Sequence, residues 1–384
     1  MNTLPGAEAA RIRLQNTALR DFGPPSEQST SSGPAHQLRL SPQDAPVPVL
    51  LKYTLELIGL ETLGPAEKVA WSIDFTFKGD HCQIAHEKFG VRLYLTTDTP
   101  DESAQNTLNQ ISKKLRSAVP TVEKLILDAA PAILARGDAI VVNQHHSLEE
   151  PYRYFRERAS NPNVIPNEHT EHPSPAGGVF ISFTFGRLQM KMNSFYDMVA
   201  ATTAYLSLLE HDLVLALAFT DFDPDTDDLN SVIGARWGDK FDRVAGKSPD
   251  AAGYRERLTK IVERWRNPYS HGGNDKVHRA AIYLRVPDVG SVPVGLTRTR
   301  HSPLFTLFPA SGDDVTDVFT LFDELDEWLT SQLPAAFEWI RSGLPVPFDQ
   351  KFRAEVQHAQ QEGSFTDYLH RADYQQERFD NMDF

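Results

Sequence analysis

Trp71, Ile73, Phe75 and Phe77 alternate with Ser72, Asp74, Thr76 and Lys78, the two-residue period of a strand with one buried face. Gly79 and Asp80 read as a turn, and Val91, Leu93 and Leu95 resume the alternation, which predicts a β-hairpin or meander. Leu108, Ile111 and Leu115 then have helical spacing, a second helical segment covers 121–135, and 139–142 is a short apolar strand. Residues 46–158 are therefore expected to form a small α+β domain. The first 45 residues are rich in Pro, Ser, Gly and Gln without an apolar period, so they read as a flexible tail.

Residues 159–178 hold several Pro and Gly residues and no period, the signature of a linker. After a short strand over 179–185 the pattern turns helical, with helices near 189–219, 229–246 and 249–266, a hairpin-like insertion near 280–298 and a long helix near 313–342. The expected fold is an α+β N-terminal domain followed by a mainly α-helical bundle over 179–345, with a C-terminal helix and polar tail over 346–384. The apolar stretch 198–219 carries Glu210, His211 and Asp212 in its interior, groups costly in lipid, so it reads as a buried core helix rather than a membrane span. Asp221, Asp223, Asp225, Asp227 and Asp228 have calcium-loop spacing, but Thr226 stands where the turn glycine belongs and Val232 where the closing carboxylate belongs. An acidic loop capping a helix near Leu229 is the expectation there.

A net charge of −14 argues against a chain that coats nucleic acid over its whole surface. A local patch is compatible, and one lies over 255–300, where basic residues outnumber acids. Cys82 is the single cysteine, which cannot form an internal disulfide, and no N-terminal segment reads as a secretory signal. A cytoplasmic setting is expected.

The chemistry concentrates at the end of the helix near 249–266, where Tyr254, Leu258, Ile261 and Trp265 recur at helical spacing before Arg266-Asn267-Pro268-Tyr269-Ser270-His271. Pro268 disfavours the α conformation at Asn267, so the helix is expected to stop there and a short turn to start, with Gly272 and Gly273 releasing the chain. Arg266 and His271 would then face one cleft. Strand scission of RNA needs a group to take the 2′-hydroxyl proton, one to protonate the departing 5′-oxygen, and positive charge on the phosphoryl oxygens. Histidine exchanges protons near neutral pH and a guanidinium grips phosphate through paired hydrogen bonds. Arg353 and His358 repeat the spacing, but within a continuous helix, where positions five apart point in different directions.

The Arg, the polar Asn after it, the His and the Gly after that, in an all-helical neighbourhood, resemble the HEPN superfamily of nucleotide-binding and ribonuclease modules. The resemblance covers roughly residues 187–345. It implies a helical bundle, metal-independent endoribonuclease activity, a composite site where two motif copies meet in a homodimer, and a role as a toxin or antiviral-defence effector. It implies Arg266 and His271 as the catalytic pair with Asn267 assisting, and Glu210 as an acidic residue from an earlier helix that orients His271 or pairs with Arg266. Lys260, Arg264, Lys276 and Arg279 are the expected RNA contacts. Family members silenced by AMP transfer carry a Tyr two residues after the motif His, where this chain has Gly273.

No metal or other cofactor is expected. His81, Cys82 and His86 lie on a strand that reads as solvent-exposed, without a fourth ligand, and His169 and His172 lack zinc-protease spacing. RNA is the expected substrate partner, with a homodimer and an antitoxin, sensor or ATPase partner as further candidates and no membrane. The competing readings are a catalytically silent HEPN module that binds nucleotide, RNA or a partner protein, and a helical dimerisation scaffold.

Overall fold

The computed structural model describes residues 4–25, 33–173, 175, 177–220, 222–223, 227–270, 283–293 and 310–382. The chain divides into two compact units, one of residues 1–136 with 366–384 and one of residues 137–365. The N-terminal half holds a small antiparallel sheet, and the C-terminal half is helical.

Along the first unit run α1 (Ala7–Asn16), β1 (Phe22–Gly23), β2 (Ala35–Arg39), α2 (Pro48–Leu57), β3 (Thr62–Leu63), β4 (Val69–Phe77), β5 (Asp80–Glu87), β6 (Gly90–Thr96) and α3 (Asp101–Ala135). The sheet order is β1-β4-β5-β6-β2, with β3 also paired to β4. Its alternation is the one in the sequence. Trp71, Ile73, Phe75 and Phe77 of β4 share a buried face with Cys82 and Ile84 of β5 and Val91, Leu93 and Leu95 of β6. Ala104, Leu108, Ile111, Leu115, Ala118 and Val122 cover that face from α3, at the three- and four-residue steps of one helix stripe.

Three expectations need correction here. The tail over the first 45 residues is folded where it is described: Leu14 and Leu19 are in the core and β2 pairs with β6. A few anchors suffice when a formed sheet face receives them. The two helical segments at 108–115 and 121–135 are one helix that runs through Pro120, because the buried stripe stays in phase across it and outweighs one lost backbone bond. Finally, β5 is a central strand rather than a solvent-exposed one. Cys82 is buried, and that burial pushes its thiol up to about 12.

The second unit runs β7 (Ile140–Val141), α4 (His145–Ser160), β8 (Glu168–Pro173), β9 (Val179–Thr184), α5 (Gly186–Ala216), a 3-10 turn Leu217–Phe219, α6 (Leu229–Gly234), α7 (Trp237–Ala245) and α8 (Pro249–Ile261). It continues with a π-helical turn Val262–Arg266, α9 (Asn267–Ser270), β10 (Tyr283–Val286), β11 (Gly290–Pro293), α10 (Gly312–Gln332), α11 (Pro334–Ser342), β12 (Val346–Pro347), α12 (Gln350–Gln361) and the start of α13 (Phe365–Asn381). Residues of α13 from Thr366 onward count with the first unit. They form a helix, not the polar tail expected over the last residues, and the Met382 carbonyl accepts from the Lys68 N–H at 3.0 Å.

Antiparallel packing of α4 on α5 organises this unit. Gln144 N–H reaches His211 Nε2 at one end, and Ser194 Oγ reaches the Ala159 carbonyl at the other. Midway, Tyr205 stacks on Phe322 of α10 with ring centroids 3.9 Å apart, and Tyr152 packs against both. The pattern placed α4 in the N-terminal domain, whereas it belongs to the helical unit. Its buried face holds His145, Tyr152 and Ala159 alone, too sparse an apolar stripe to reveal its partner.

The expected linker contains β8, which pairs with β9 in a hairpin. Asp228 caps α6, accepting from the Asn230 N–H at 3.1 Å, as the acidic loop predicted. Pro334 opens α11 and divides the long helix expected over 313–342. No helix among the described residues is long and apolar enough to cross a membrane.

Candidate functional site

The helix carrying Arg266 does not stop before Pro268. Asn267 is helical, with φ −62° and ψ −41°, and α9 follows without a break. The expected stop at Asn267 is thus replaced by a widened π turn over 262–266. The physical reason is the proline: it lacks an N–H and crowds the carbonyl one turn back, and a wider turn relieves both. Such turns concentrate at functional sites.

Trp265 anchors this turn. It is 2% exposed and meets Phe195 edge-on at 6.2 Å, while Tyr269 meets the same Phe195 at 5.3 Å. Arg266 is half-buried between these anchors, and its Nε is enclosed with no hydrogen-bond partner among the described residues. A buried guanidinium nitrogen without an acceptor is costly, and an anion alongside it removes the cost. Burial, with Tyr196 beside it, pushes Tyr269 up to about 12, so its phenol keeps its proton at neutral pH.

The remaining expected site residues are distributed differently. His271, Lys276 and Arg279 lie outside the described residues. Glu210 is not beside Arg266: it accepts from Lys240 Nζ of α7 at 3.1 Å. Along α5, about 22 Å of helix rise separates it from Phe195, the residue that meets the Arg266 turn. Within this chain Glu210 is thus paired with Lys240 rather than Arg266, and its expected role toward His271 concerns a residue outside the described ones. Lys260 and Arg264 line a groove of 450 Å³ between α8 and α10, together with Arg257, Asp314, Asp317 and Glu324. Their charges are matched within it and at its rim. Arg264 pairs with Asp314 at 3.1 Å, Arg257 with Glu324 at 2.7 Å and Lys260 with Glu256 at 2.6 Å. The Arg257 and Lys260 pairs are exposed, so each holds weakly and an incoming phosphate can exchange for the carboxylate, whereas Asp314 is partly buried and also holds Ser311. Arg353 and His358, the second occurrence of the spacing, face different partners: an Arg353 Nη reaches the Thr220 carbonyl while its Nε, like that of Arg266, is enclosed without a partner among the described residues, and His358 reaches Glu362.

A second polar cluster, which the sequence reading passed over, lies where α4 begins and α5 ends. His145 Nδ1 sits 2.9 and 3.0 Å from the two oxygens of Asp212, and both side chains are buried. Burial lowers the His145 pKa, but the bond to Asp212 and its charge outweigh that, leaving the imidazole above its ordinary value. His146 Nε2 is 3.1 Å from the Arg341 carbonyl. The ligand atoms of His145, His146 and Glu149 lie within 4.8 Å of one another. His211, which accepts the Gln144 N–H, is held below its ordinary value by burial. The sequence signal was His145 and Glu149 at helical i and i+4. It was invisible without knowing that a helix starts at His145 and that Asp212 packs behind it.

The chain matches no protein-family model, no curated protein and no solved structure.

Proposed function

We propose that the helical unit is a HEPN-type endoribonuclease that cleaves RNA without a metal ion, as a toxin or antiviral-defence effector. The observation that carries this reading is Arg266: a guanidinium whose enclosed Nε has no partner among the described residues, at the end of a π-widened helix and directly before Asn267. In this reading Arg266 holds the scissile phosphate and Asn267 adds a hydrogen bond. His271 moves the proton: the 2′-oxygen attacks phosphorus, the bond to the 5′-oxygen breaks, and the products are a 2′,3′-cyclic phosphate and a 5′-hydroxyl. Tyr269, protonated at neutral pH, does not compete as a base.

The reading calls for two copies of the motif in a homodimer. In its favour, β9 exposes Val179, Phe180, Ile181 and Phe183, and Phe185 follows them, each more than half exposed. An apolar patch of this kind is unusual on a monomer and marks an association surface. The test is incubation of the purified protein with transfer and messenger RNA without added divalent ions. Cleavage leaving 2′,3′-cyclic ends, lost in Arg266→Ala and His271→Ala proteins that melt like wild type, is expected. Intact RNA after incubation of the wild-type dimer sinks the proposal.

The matched charges around Lys260 and Arg264 favour a second reading, a silent HEPN module that binds nucleotide, RNA or a partner protein. Under it, the same substitutions weaken binding and no RNA product appears.

A further inference from the structure

We infer that His145, His146 and Glu149 form a zinc site, independent of the proposed ribonuclease centre: Asp212, which backs His145, lies about 25 Å of helix rise along α5 from Phe195, the residue that meets the Arg266 turn. The three residues come from one turn of α4, with His145 and Glu149 at i and i+4, and their ligand atoms lie within 4.8 Å of one another.

The hydrogen bonds around them do for the imidazoles what outer partners do at metal sites. Asp212 accepts from His145 Nδ1 through both oxygens, and the Arg341 carbonyl accepts from His146 Nε2. These acceptors fix the protons on those nitrogens, so the lone pairs remain on Nε2 of His145 and Nδ1 of His146. A ligating histidine backed by a carboxylate or a backbone carbonyl is the usual outer arrangement at zinc. His211 is not a fourth ligand, because its Nε2 already accepts the Gln144 N–H.

Electrostatics agree. Asp212 and Glu149 are the acidic groups at the site, and the opposing cations are Arg341 and Arg153, whose guanidinium pairs with Glu149 Oε1 at 2.6 Å in a partly exposed, exchangeable ion pair that zinc would displace. Arg341 directs its guanidinium to Thr330 Oγ1 at 2.8 Å. The amino end of α4 disfavours a cation only weakly beside two carboxylates. Two imidazoles and a carboxylate select a first-row divalent ion of zinc type over magnesium or calcium, which take oxygen ligands. Bonds of about 2.0–2.1 Å in tetrahedral geometry bring ligand atoms to about 3.3 Å from each other. Closing by that amount requires Glu149 to release Arg153, whose own side chain is mostly exposed, while His146 is exposed and keeps its bond to the Arg341 carbonyl. Three protein ligands leave the fourth position to water.

The experiment is titration of chelator-stripped full-length protein with zinc, read by calorimetry and by the shift in melting temperature. One ion per chain is expected, with a higher melting temperature on binding. His146→Ala and Glu149→Gln, at less buried positions that leave the fold intact, should each weaken binding at least tenfold and abolish the shift. Asp212→Asn should weaken it by about 10–100-fold through His145 alone. His211→Ala should bind like wild type. Absence of zinc binding by the stripped wild type overturns the inference. So does binding that His146→Ala and Glu149→Gln leave unchanged, since the ion would then sit elsewhere. Neither result touches the ribonuclease reading, whose assay uses RNA and no added metal.

Discussion

Tyr205 donates its hydroxyl proton to Asp326 across 2.7 Å in the middle of the helical unit, where its ring also stacks on Phe322. Burial raises the Asp326 carboxyl to about 7, the Tyr205 bond opposes that rise, and the charges of Asp212 and Asp323 add to it. The native state therefore holds a proton on Asp326 that the unfolded chain releases near pH 4.

Between about pH 4 and 7 the native state binds more protons at this site than the unfolded state does, so its contribution to stability declines as pH rises through that window. Asp326→Asn cannot ionise and still accepts from Tyr205. The difference in unfolding free energy between wild type and Asp326→Asn should shift by roughly 1–4 kcal/mol in favour of the variant from pH 4.5 to 7.5. Denaturant titrations at several pH values measure it, and a difference independent of pH would refute the assignment.

Replacing Ile181 and Phe183 by Asp should separate the proposed dimer. The two side chains lie on one face of the β8–β9 hairpin, at alternate positions opposite Glu171 and His169, and are 51% and 59% exposed. Loss of an apolar anchor at an interface costs about 2 kcal/mol, or about 30-fold in the dimer dissociation constant. Light scattering reads the mass. A variant that stays dimeric removes this hairpin from the interface, and a monomer that still cleaves RNA removes the composite site.

What the chain announced and what it concealed divide along one physical line. The meander and α3 were legible because each buries a complete face, so Ile73, Phe75, Leu108 and Ile111 stand out at fixed periods. The amino-terminal segment was not, since Leu14 and Leu19 are isolated anchors in polar sequence that gain meaning only against an existing core. At the candidate site, the sequence located Arg266 but misread the backbone. Pro268 signalled a stop, and the helix instead absorbed it by widening over 262–266. The resemblance implies Glu210 as an acidic residue from an earlier helix, yet its position along α5 sets its partner, Lys240. The His145 cluster required three segments to converge, which no local period records.

If RNA passes over the groove between α8 and α10, Lys260 and Arg264 must exchange Glu256 and Asp314 for phosphates. Each cation that does so releases a counterion, worth about 0.7 in the slope of log affinity against log salt for a single strand. Lys260→Gln and Arg264→Gln should each flatten that slope by about this amount in binding assays with the His271→Ala protein. Unchanged slopes would mean that these two residues only brace the helices.

Glu210→Gln separates a structural carboxylate from a catalytic one. The Lys240 side chain is 7% exposed and its ammonium takes its ion pair from Glu210, which is itself 36% exposed. Removing the carboxylate charge leaves a mostly buried ammonium with a weaker neutral acceptor, a loss of roughly 1–3 kcal/mol that water around Glu210 keeps from being larger. The variant should melt several degrees lower. Below its transition it should cleave RNA at the wild-type rate, because the α5 position that holds Glu210 is remote from the Arg266 turn. Lys240→Met, which removes the buried charge along with its need for a partner, should recover part of the stability in the Glu210→Gln background. A cleavage rate that drops in Glu210→Gln while the melting temperature holds would return this residue to the chemistry.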